Sequence, residues 1–206
     1  IPVSPILIDL LRNALLAMDG VEFTNLDACP SCGGAVVGHD MRAKRFAVML
    51  DQGQKRTIRV YVRRFHCEDC GRLCYADEPF YPGTRLGSPI VDLCRLLSEQ
   101  MPFNRTAEYL RAMGIVVDRG TVRNYAALEI APTPATEIFG FPIPLSLLNL
   151  SISAIRRERS PIVGTEALVA CGFPSTDRTA LSGGWSPKEW DQRYEEEEEE
   201  ERIAKS

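Results

Sequence analysis

Two identical cysteine turns constrain the fold of this chain more than any other feature of its sequence. The first reads CPSCG from Cys29 and the second reads CEDCG from Cys67, with 34 residues between the two pairs. Both sulfurs of a Cys-x-x-Cys turn can reach one metal ion, and the glycine behind each pair accepts the positive φ of a tight turn. A structural Zn²⁺ site takes four tetrahedral sulfur or nitrogen ligands. We therefore predict one structural zinc ion bound by Cys29, Cys32, Cys67 and Cys70.

Other uses of these cysteines fit the sequence less well. The chain has seven cysteines, an odd number, and no secretory signal pattern precedes them, which disfavours a disulfide framework. A redox Cys-x-x-Cys needs one copy in a thioredoxin-like setting, and that setting is absent. His66 could also bind a metal, but a fourth thiolate makes it unnecessary, so we expect it to be a strand-end residue. We expect the remaining cysteines to be small buried apolar side chains: Cys74, Cys94 and Cys171.

The segment between the cysteine turns predicts a β-hairpin that brings them together. Residues 45–50 and 57–65 are rich in β-branched and aromatic side chains, and they flank an Asp-Gln-Gly-Gln turn signal at residues 51–54. Because successive side chains of a strand point to opposite faces, the second strand should have two different sides. Ile58, Val60 and Val62 should face one way, and Arg59, Tyr61, Arg63 and Phe65 the other.

The rest of the pattern predicts an α+β fold, in which a small β-hairpin zinc ribbon precedes a trihelical helix-turn-helix and a largely irregular C-terminal tail. Residues 1–20 form an amphipathic helix for packing or dimerisation, residues 25–75 the zinc ribbon, and residues 76–87 a Pro/Gly-rich connector. Residues 88–130 form the three helices, with Ser88, Asn104 and Asp118 as their N-caps and Leu128 near the last helix end. Residues 131–206 form a Pro-rich and acidic tail, partly disordered.

The last two predicted helices have the pattern of a helix-turn-helix. Ala107 lets the helices approach, Gly114 makes the turn, and Ile115 fills the core beside Val122. Arginine can bind guanine and asparagine can bind adenine in the major groove, and a threonine at the helix start can hold a phosphate. Tyr125 is expected in the core, and a unit of this kind that serves only as a packing module stays an open alternative. The candidate DNA-contacting residues are Arg105, Arg119, Thr121, Arg123 and Asn124.

The net charge of −4 by itself argues against a nucleic acid partner, but the charge is unevenly distributed along the chain. Residues 131–206 carry 8 basic and 13 acidic side chains, and seven of the acidic ones form the run at residues 195–201. Residues 40–72 carry nine basic and four acidic side chains. Phosphate neutralisation supplies most nonspecific DNA affinity. Arg59 and Arg63 could therefore make a second backbone contact, although a merely solvated strand face explains them equally well.

Residues 138–155 are an uncharged stretch of 18 residues. A membrane span needs about 20 predominantly apolar residues, and two prolines, an asparagine and three serines interrupt this one. We predict no membrane role, and expect a short packed helix whose inward side consists of Leu145, Leu148, Ile152 and Ile155.

Residues 25–130 as a whole resemble a known family. The CPSCG turn, the basic hairpin, the RFHCEDCGR stretch at residues 64–72, the connector and the helix-turn-helix are similar to the amino-terminal DNA-recognition region of prokaryotic, especially archaeal, insertion-sequence transposases of the DDE type. The resemblance implies binding to double-stranded DNA at terminal inverted repeats, and a cytoplasmic location, nucleoid-associated when bound.

In that family a separate ribonuclease H-like domain holds three metal-binding carboxylates. Only 76 residues follow residue 130, which is too few for such a domain, and Asp177, Glu189 and Asp191 lie in unpatterned sequence. We therefore predict no catalysis for this chain, and expect a truncated, transposase-like DNA-binding protein. A stand-alone transcription regulator and a zinc-stabilised protein-interaction module are the alternatives left open, and a second copy of the chain is a further candidate partner, in a homodimer.

Overall fold

The computed structural model describes residues 3–157 and 162–173, which form an α+β fold. A long hairpin with two short strands beside it makes one sheet, and a second sheet has two strands. No helix within these two ranges is long and apolar enough to cross a membrane. In chain order the elements are α1 (Pro5–Leu16), β1 (Glu22–Phe23), β2 (Val36–Asp51), β3 (Gln54–Cys67), β4 (Leu73–Tyr75), α2 (Ser88–Gln100), α3 (Phe103–Ala112), α4 (Arg119–Ala126), β5 (Ala135–Ile138), β6 (Phe141–Pro144), α5 (Leu145–Arg156) and α6 (Gly164–Ala170).

The predicted hairpin is present and is longer than its sequence pattern indicates. β2 and β3 pair antiparallel from the central turn to the cysteine end, where Val36 lies opposite Cys67. The turn residues Gln52 and Gly53 have φ values of 50° and 80°, as a two-residue I′ loop requires. β1 pairs with β3 in parallel, and β4 pairs with it antiparallel at the cysteine end.

The predicted alternation along β3 is present. Phe65 shares the face of Arg63, whose guanidinium carbon lies 5.9 Å from the centre of the Phe65 ring, but unlike Arg63 it is buried, because β4 pairs with this end of β3 and places Cys74 opposite it. The pairing of β4 could not be seen in the alternation of β3 alone. At the other positions Ile58, Val60 and Val62 are buried, and Arg59, Tyr61 and Arg63 are exposed.

Three helices follow the hairpin, as the sequence predicts, with small differences at their ends. α2 begins at Ser88, which lies inside the helix behind an N-cap at Gly87. Asn104 also lies inside its helix, because Pro102 is the N-cap of α3. Asp118 caps α4 as predicted, and α4 ends two residues earlier than expected.

The connection between α3 and α4 lies along the edge of β2 and is hydrogen-bonded to it like a short extra strand. The N–H of Leu50 donates to the C=O of Gly114 at 2.7 Å, and the N–H of Val116 donates to the C=O of Val48 at 2.8 Å. Ile115, predicted to fill the core, is buried between these bonds. The hairpin and the helices are therefore joined by backbone as well as by side chains.

Residues 76–87, predicted as a connector, contribute side chains to the core. Ala76, Phe80 and Leu86 are buried. The N–H of Gly87 donates to the C=O of Phe46 at 2.9 Å, and a Cβ at Gly87 would overlap the Phe46 ring. An apolar cluster thus runs from the turn half of the hairpin through this segment into α2, α3 and α4.

The helix predicted in residues 1–20 is α1, and its apolar side is buried against other parts of the chain. Leu7, Leu11 and Leu15 are fully buried or nearly so, and α1 packs against α5. At the start of α6, Gly164 lies so close to the C=O of Glu22 that a Cβ would overlap the oxygen. The N-terminal segment therefore packs against the C-terminal described helices.

The prediction of a largely irregular C-terminal tail is wrong for residues 135–156 and 164–170, which form the β5–β6 hairpin, α5 and α6. The predicted helix is present as α5, but its predicted inward side, Leu145, Leu148, Ile152 and Ile155, is the outward one: Ile152 is 40% and Ile155 66% exposed. The opposite side is apolar too, and its small residues allow α1 to approach. The buried residues of α5 are Ser146, Leu147, Leu150, Ser151 and Ala154.

Several acidic residues singled out in the sequence lie outside the described residues. They are the run at residues 195–201, predicted to be disordered, and the carboxylates Asp177, Glu189 and Asp191.

Candidate metal centre and helix surface

The two cysteine turns meet at the end of the hairpin opposite its two-residue turn. The sulfurs of Cys29, Cys32, Cys67 and Cys70 all lie within 4.8 Å of one another. The Sγ atoms of Cys29 and Cys70 are 3.7 Å apart, and those of Cys32 and Cys67 are 3.5 Å apart. Zinc–sulfur bonds of about 2.3 Å in a tetrahedron put neighbouring sulfurs about 3.8 Å apart. The four sulfurs predicted from the spacing are therefore close enough together to hold one metal ion.

The two cysteine turns have the same backbone conformation. In each, the C=O of the first cysteine accepts a hydrogen bond from the glycine four residues on, at 2.8 Å in the first turn and 3.0 Å in the second. The N–H of that cysteine donates to the C=O five residues on, at 3.0 Å and 2.9 Å. Gly33 and Gly71 have φ values of 75° and 71°, the positive φ predicted for both positions. Both pairs are thus presented to one point by local backbone geometry.

The first turn also favours a thiolate. Burial opposes ionisation of Cys29, but backbone N–H groups of Ser31 and Cys32 stabilise the charged sulfur, and the pKa of Cys29 is lowered to about 6. The pKa of Cys32 is raised to about 12: the backbone of Gly34 lowers it, and the neighbouring thiols outweigh that effect. One ionised sulfur among neutral thiols is the expected result of crowding four sulfurs without a cation. A divalent cation favours deprotonation of all four.

A fifth cysteine lies beside this site. The Sγ of Cys74 on β4 is 3.6 Å from the Sγ of Cys29, and Cys74 is buried, as predicted. The contact itself was not predicted, although Cys74 follows Cys70 closely enough for a returning strand to carry it back to the site. His66 is an exposed strand-end residue. A small apolar cluster surrounds the sulfurs, formed by Cys29, Cys67 and Cys74 with Leu26 and Val36.

The candidate base-reading residues lie on the exposed side of α4. Arg119 and Arg123 are four positions apart and therefore share a helix face, which Asn124 adjoins. Val122 and Tyr125 are buried on the opposite side, Tyr125 as predicted. The remaining predicted contacts lie on other elements and are also exposed: Arg105 on α3, and Arg59 and Arg63 on β3.

Thr121 serves the helix cap in this structure. Its hydroxyl donates to one carboxylate oxygen of Asp118 at 2.6 Å, and its N–H donates to the other at 2.9 Å. These two bonds hold the pKa of Asp118 below its usual range. Because the hydroxyl hydrogen is used within the cap, Thr121 has none to offer a phosphate in this arrangement.

Comparison with known proteins identifies no relative of this chain. No protein-family model, no curated protein and no solved structure matches the chain. Its function is therefore inferred from the residues and their arrangement.

Proposed function

We propose that this chain is a zinc-stabilised, sequence-specific DNA-binding protein, which binds double-stranded DNA as the end-recognition part of an insertion-sequence transposase does. In this reading α2, α3 and α4 act as a trihelical helix-turn-helix unit, and the hairpin with its cysteine turns acts as a zinc ribbon. Binding is the role assigned to the chain, and no catalytic step is assigned to it.

The exposed side of α4 is the observation that carries the proposal. Arg123 and Asn124 offer the donor groups that read guanine and adenine edges in a major groove. Gly120, on the same side of the helix, has no side chain and lets the α4 backbone come close to a DNA surface.

The metal has a structural part in this proposal. Cys29, Cys32, Cys67 and Cys70 are the residues that would hold zinc, and a site closed by four thiolates has no position for a reacting water. When bound, the ion supplies four bonds that close the open end of the hairpin. The ribbon could then present Arg59 and Arg63 to a phosphate backbone, as a contact in addition to α4.

The attachment of the α3–α4 connection to β2 supports joint use of the two modules. The two backbone hydrogen bonds between Leu50 and Gly114 and between Val116 and Val48 leave little room for α4 to turn relative to the sheet. DNA contacts from α4 and from β3 would therefore occur in a fixed register, which favours recognition of one extended site.

Substitution of Arg123 tests base reading directly. On a duplex enriched by the full-length zinc-loaded chain from a random pool, Arg123→Ala should cost about 1 to 3 kcal/mol of binding free energy and relax the preference at one base pair. Arg156→Ala, at an exposed arginine of α5, is the matched control and should bind normally. An equal loss for Arg123→Ala on random-sequence duplex would contradict base reading.

A protein-interaction module is the second candidate, because α5 exposes Leu145, Ile152 and Ile155 along one side. That alternative predicts no enrichment of any duplex by the purified chain. A stand-alone transcription regulator would use the same DNA surface as the leading proposal. Inverted repeats flanking the gene would favour the transposase relationship over the regulator.

A further inference from the structure

The outward face of the hairpin combines positive and aromatic side chains on a surface separate from α4. Residues directly opposite one another in an antiparallel pair point to the same face, so the register defines this surface across both strands. We call it the basic sheet face. It consists of three cross-strand pairs: Arg59 with Arg45, Tyr61 with Ala43, and Arg63 with Met41.

Tyr61 lies at the centre of the basic sheet face with its ring accessible. Its side chain is 40% exposed. Ala43, directly opposite, carries only a methyl group, which is too short to cover a phenol ring. On the other side Glu22 of β1 lies next to Tyr61 in the parallel pairing. The direct cross-strand partner therefore does not cover the ring, and a flat ligand can lie against its exposed part.

Arginines occupy the next same-face positions on both sides of Tyr61 along β3. Because a strand rises about 3.3 Å per residue, Arg59 and Arg63 are each about 6.6 Å along β3 from Tyr61. Arg45 lies opposite Arg59 and adds a third arginine to the face.

Arg63 is held in place by its neighbours. Its guanidinium carbon lies 5.9 Å from the centre of the Phe65 ring. Gly38, across the strand pair, leaves room for the guanidinium, which a Cβ at that position would touch at 3.0 Å. A positioned guanidinium loses less freedom on binding a phosphate than a fully mobile one.

The combination fits single-stranded nucleic acid better than a duplex. Proteins that bind single strands place aromatic rings where unpaired bases stack, and basic groups along the phosphate backbone. In a duplex the bases already stack on one another, so a duplex would use the arginines and leave the Tyr61 ring without a partner.

We propose that the basic sheet face binds a single-stranded DNA segment, with one base stacked on Tyr61 and the adjacent phosphates bound by Arg45, Arg59 and Arg63. This inference rests on the proposed function, because it takes the chain to be a DNA-binding protein and adds single-stranded DNA as a second ligand. Tyr61 is needed only for the single strand and Arg123 only for the duplex, so each form of binding can be disabled separately.

Fluorescence anisotropy of the full-length zinc-loaded chain tests this inference. The probe is a labelled oligothymidylate of about 12 nucleotides, within the usual site size of single-strand binders. Tyr61→Leu should weaken its binding about tenfold because a stacking ring is lost, whereas Tyr61→Phe should stay within about twofold. Phe139→Leu, at an exposed aromatic residue outside this face, is the matched control and should bind normally.

A second arm measures the same variants on a duplex enriched from a random pool. Tyr61→Leu should leave duplex affinity within about twofold, and Arg123→Ala should do the same for the oligothymidylate. Wild-type binding to duplex but not to oligothymidylate would overturn the inference and leave the proposed function standing. Equal oligothymidylate binding by wild type and Tyr61→Leu would also overturn it. Tyr61-dependent binding to oligothymidylate without any duplex binding would instead remove the helix-turn-helix function alone.

Discussion

At the scale of single residues, two positions determine how the helices begin beside the hairpin. Gly87 lies where α2 begins, and its missing side chain is what admits the buried ring of Phe46. Asp118 caps α4, and it also fixes Thr121 at the start of the proposed recognition helix. Both act through contacts that a sequence pattern only partly reveals.

Gly87→Ala should destabilise the fold by about 1 to 3 kcal/mol, because the added methyl group overlaps a ring in a packed core. Urea unfolding followed by circular dichroism measures the change. Combining Gly87→Ala with Phe46→Leu should cost less than the sum of the two single changes, since the smaller side chain makes room. Additive costs would show that the two residues are not in contact.

Asp118→Ala should lower the free energy of unfolding by about 0.5 to 2 kcal/mol, as loss of an N-cap does. The pKa of Asp118 is lowered in the folded chain by the Thr121 hydroxyl and N–H. Its contribution is therefore complete above the unfolded pKa of about 3.9, and is lost as the pH falls through the lower folded pKa. The cost of Asp118→Ala, measured by urea unfolding at several pH values, should shrink under acid conditions.

Asp118→Asn is the matched control, because it keeps the capping oxygen and removes the titrating group. Its stability relative to Asp118→Ala should stay level as the pH falls. A constant cost of Asp118→Ala over the whole acid range would contradict the assigned role of the carboxylate.

The clustering of the four cysteines could be predicted from the sequence, because the spacing of each pair and the glycine behind it are local features. The burial of Phe65 and the contact between Cys74 and Cys29 could not, because both depend on the pairing of β4 with β3. That short strand has only three residues, too few to show a period.

At the scale of elements, the two ends of the hairpin are stabilised differently. The turn end contributes Phe46, Met49 and Ile58 to the apolar cluster that contains the helices. The cysteine end has its own small cluster, in which three of the five residues are cysteines. A metal ion should therefore be needed mainly by the cysteine end.

Chelation of the purified chain should remove one equivalent of zinc and unfold the cysteine end locally. Hydrogen-exchange mass spectrometry should then show lost protection near residues 26–40 and 64–75, with protection retained in α2 and α3. The chain with zinc restored is the control and should recover the original pattern. Absence of bound metal in the purified chain, or an unchanged exchange pattern after chelation, would contradict a structural site.

The buried side of α5 and the strands β5 and β6 could not be predicted, because their sequence patterns allow two interpretations. Both sides of α5 are apolar, so the periodicity predicts a helix but does not show which side is buried. The small residues Ser151 and Ala154 lie on the buried side. The strands β5 and β6 were missed because Pro142 and Pro144 read as breakers. Prolines are tolerated at sheet edges, and in a two-stranded sheet both strands are edges.

At the largest scale, the hairpin and the helices of the described residues pack together as one unit. Lys44 of β2 and Glu78 of the segment 76–87 form a buried ion pair at 2.8 Å, with the Lys44 ammonium 4.0 Å from the centre of the Tyr75 ring. With the bonds between β2 and the α3–α4 connection, this pair fixes the hairpin against the helical core. The modular division predicted from the sequence did not include these links, since each depends on residues far apart in the chain.

The proposed function requires α4 to recognise a DNA sequence. The most direct test is repeated selection of a random duplex pool by the full-length zinc-loaded chain, followed by comparison of the enriched duplex with a scrambled one at fixed salt. We predict enrichment of a defined motif, bound at least about a thousandfold more tightly than the scrambled duplex. Failure to enrich any motif, with equal affinity for both duplexes, would contradict the proposed function.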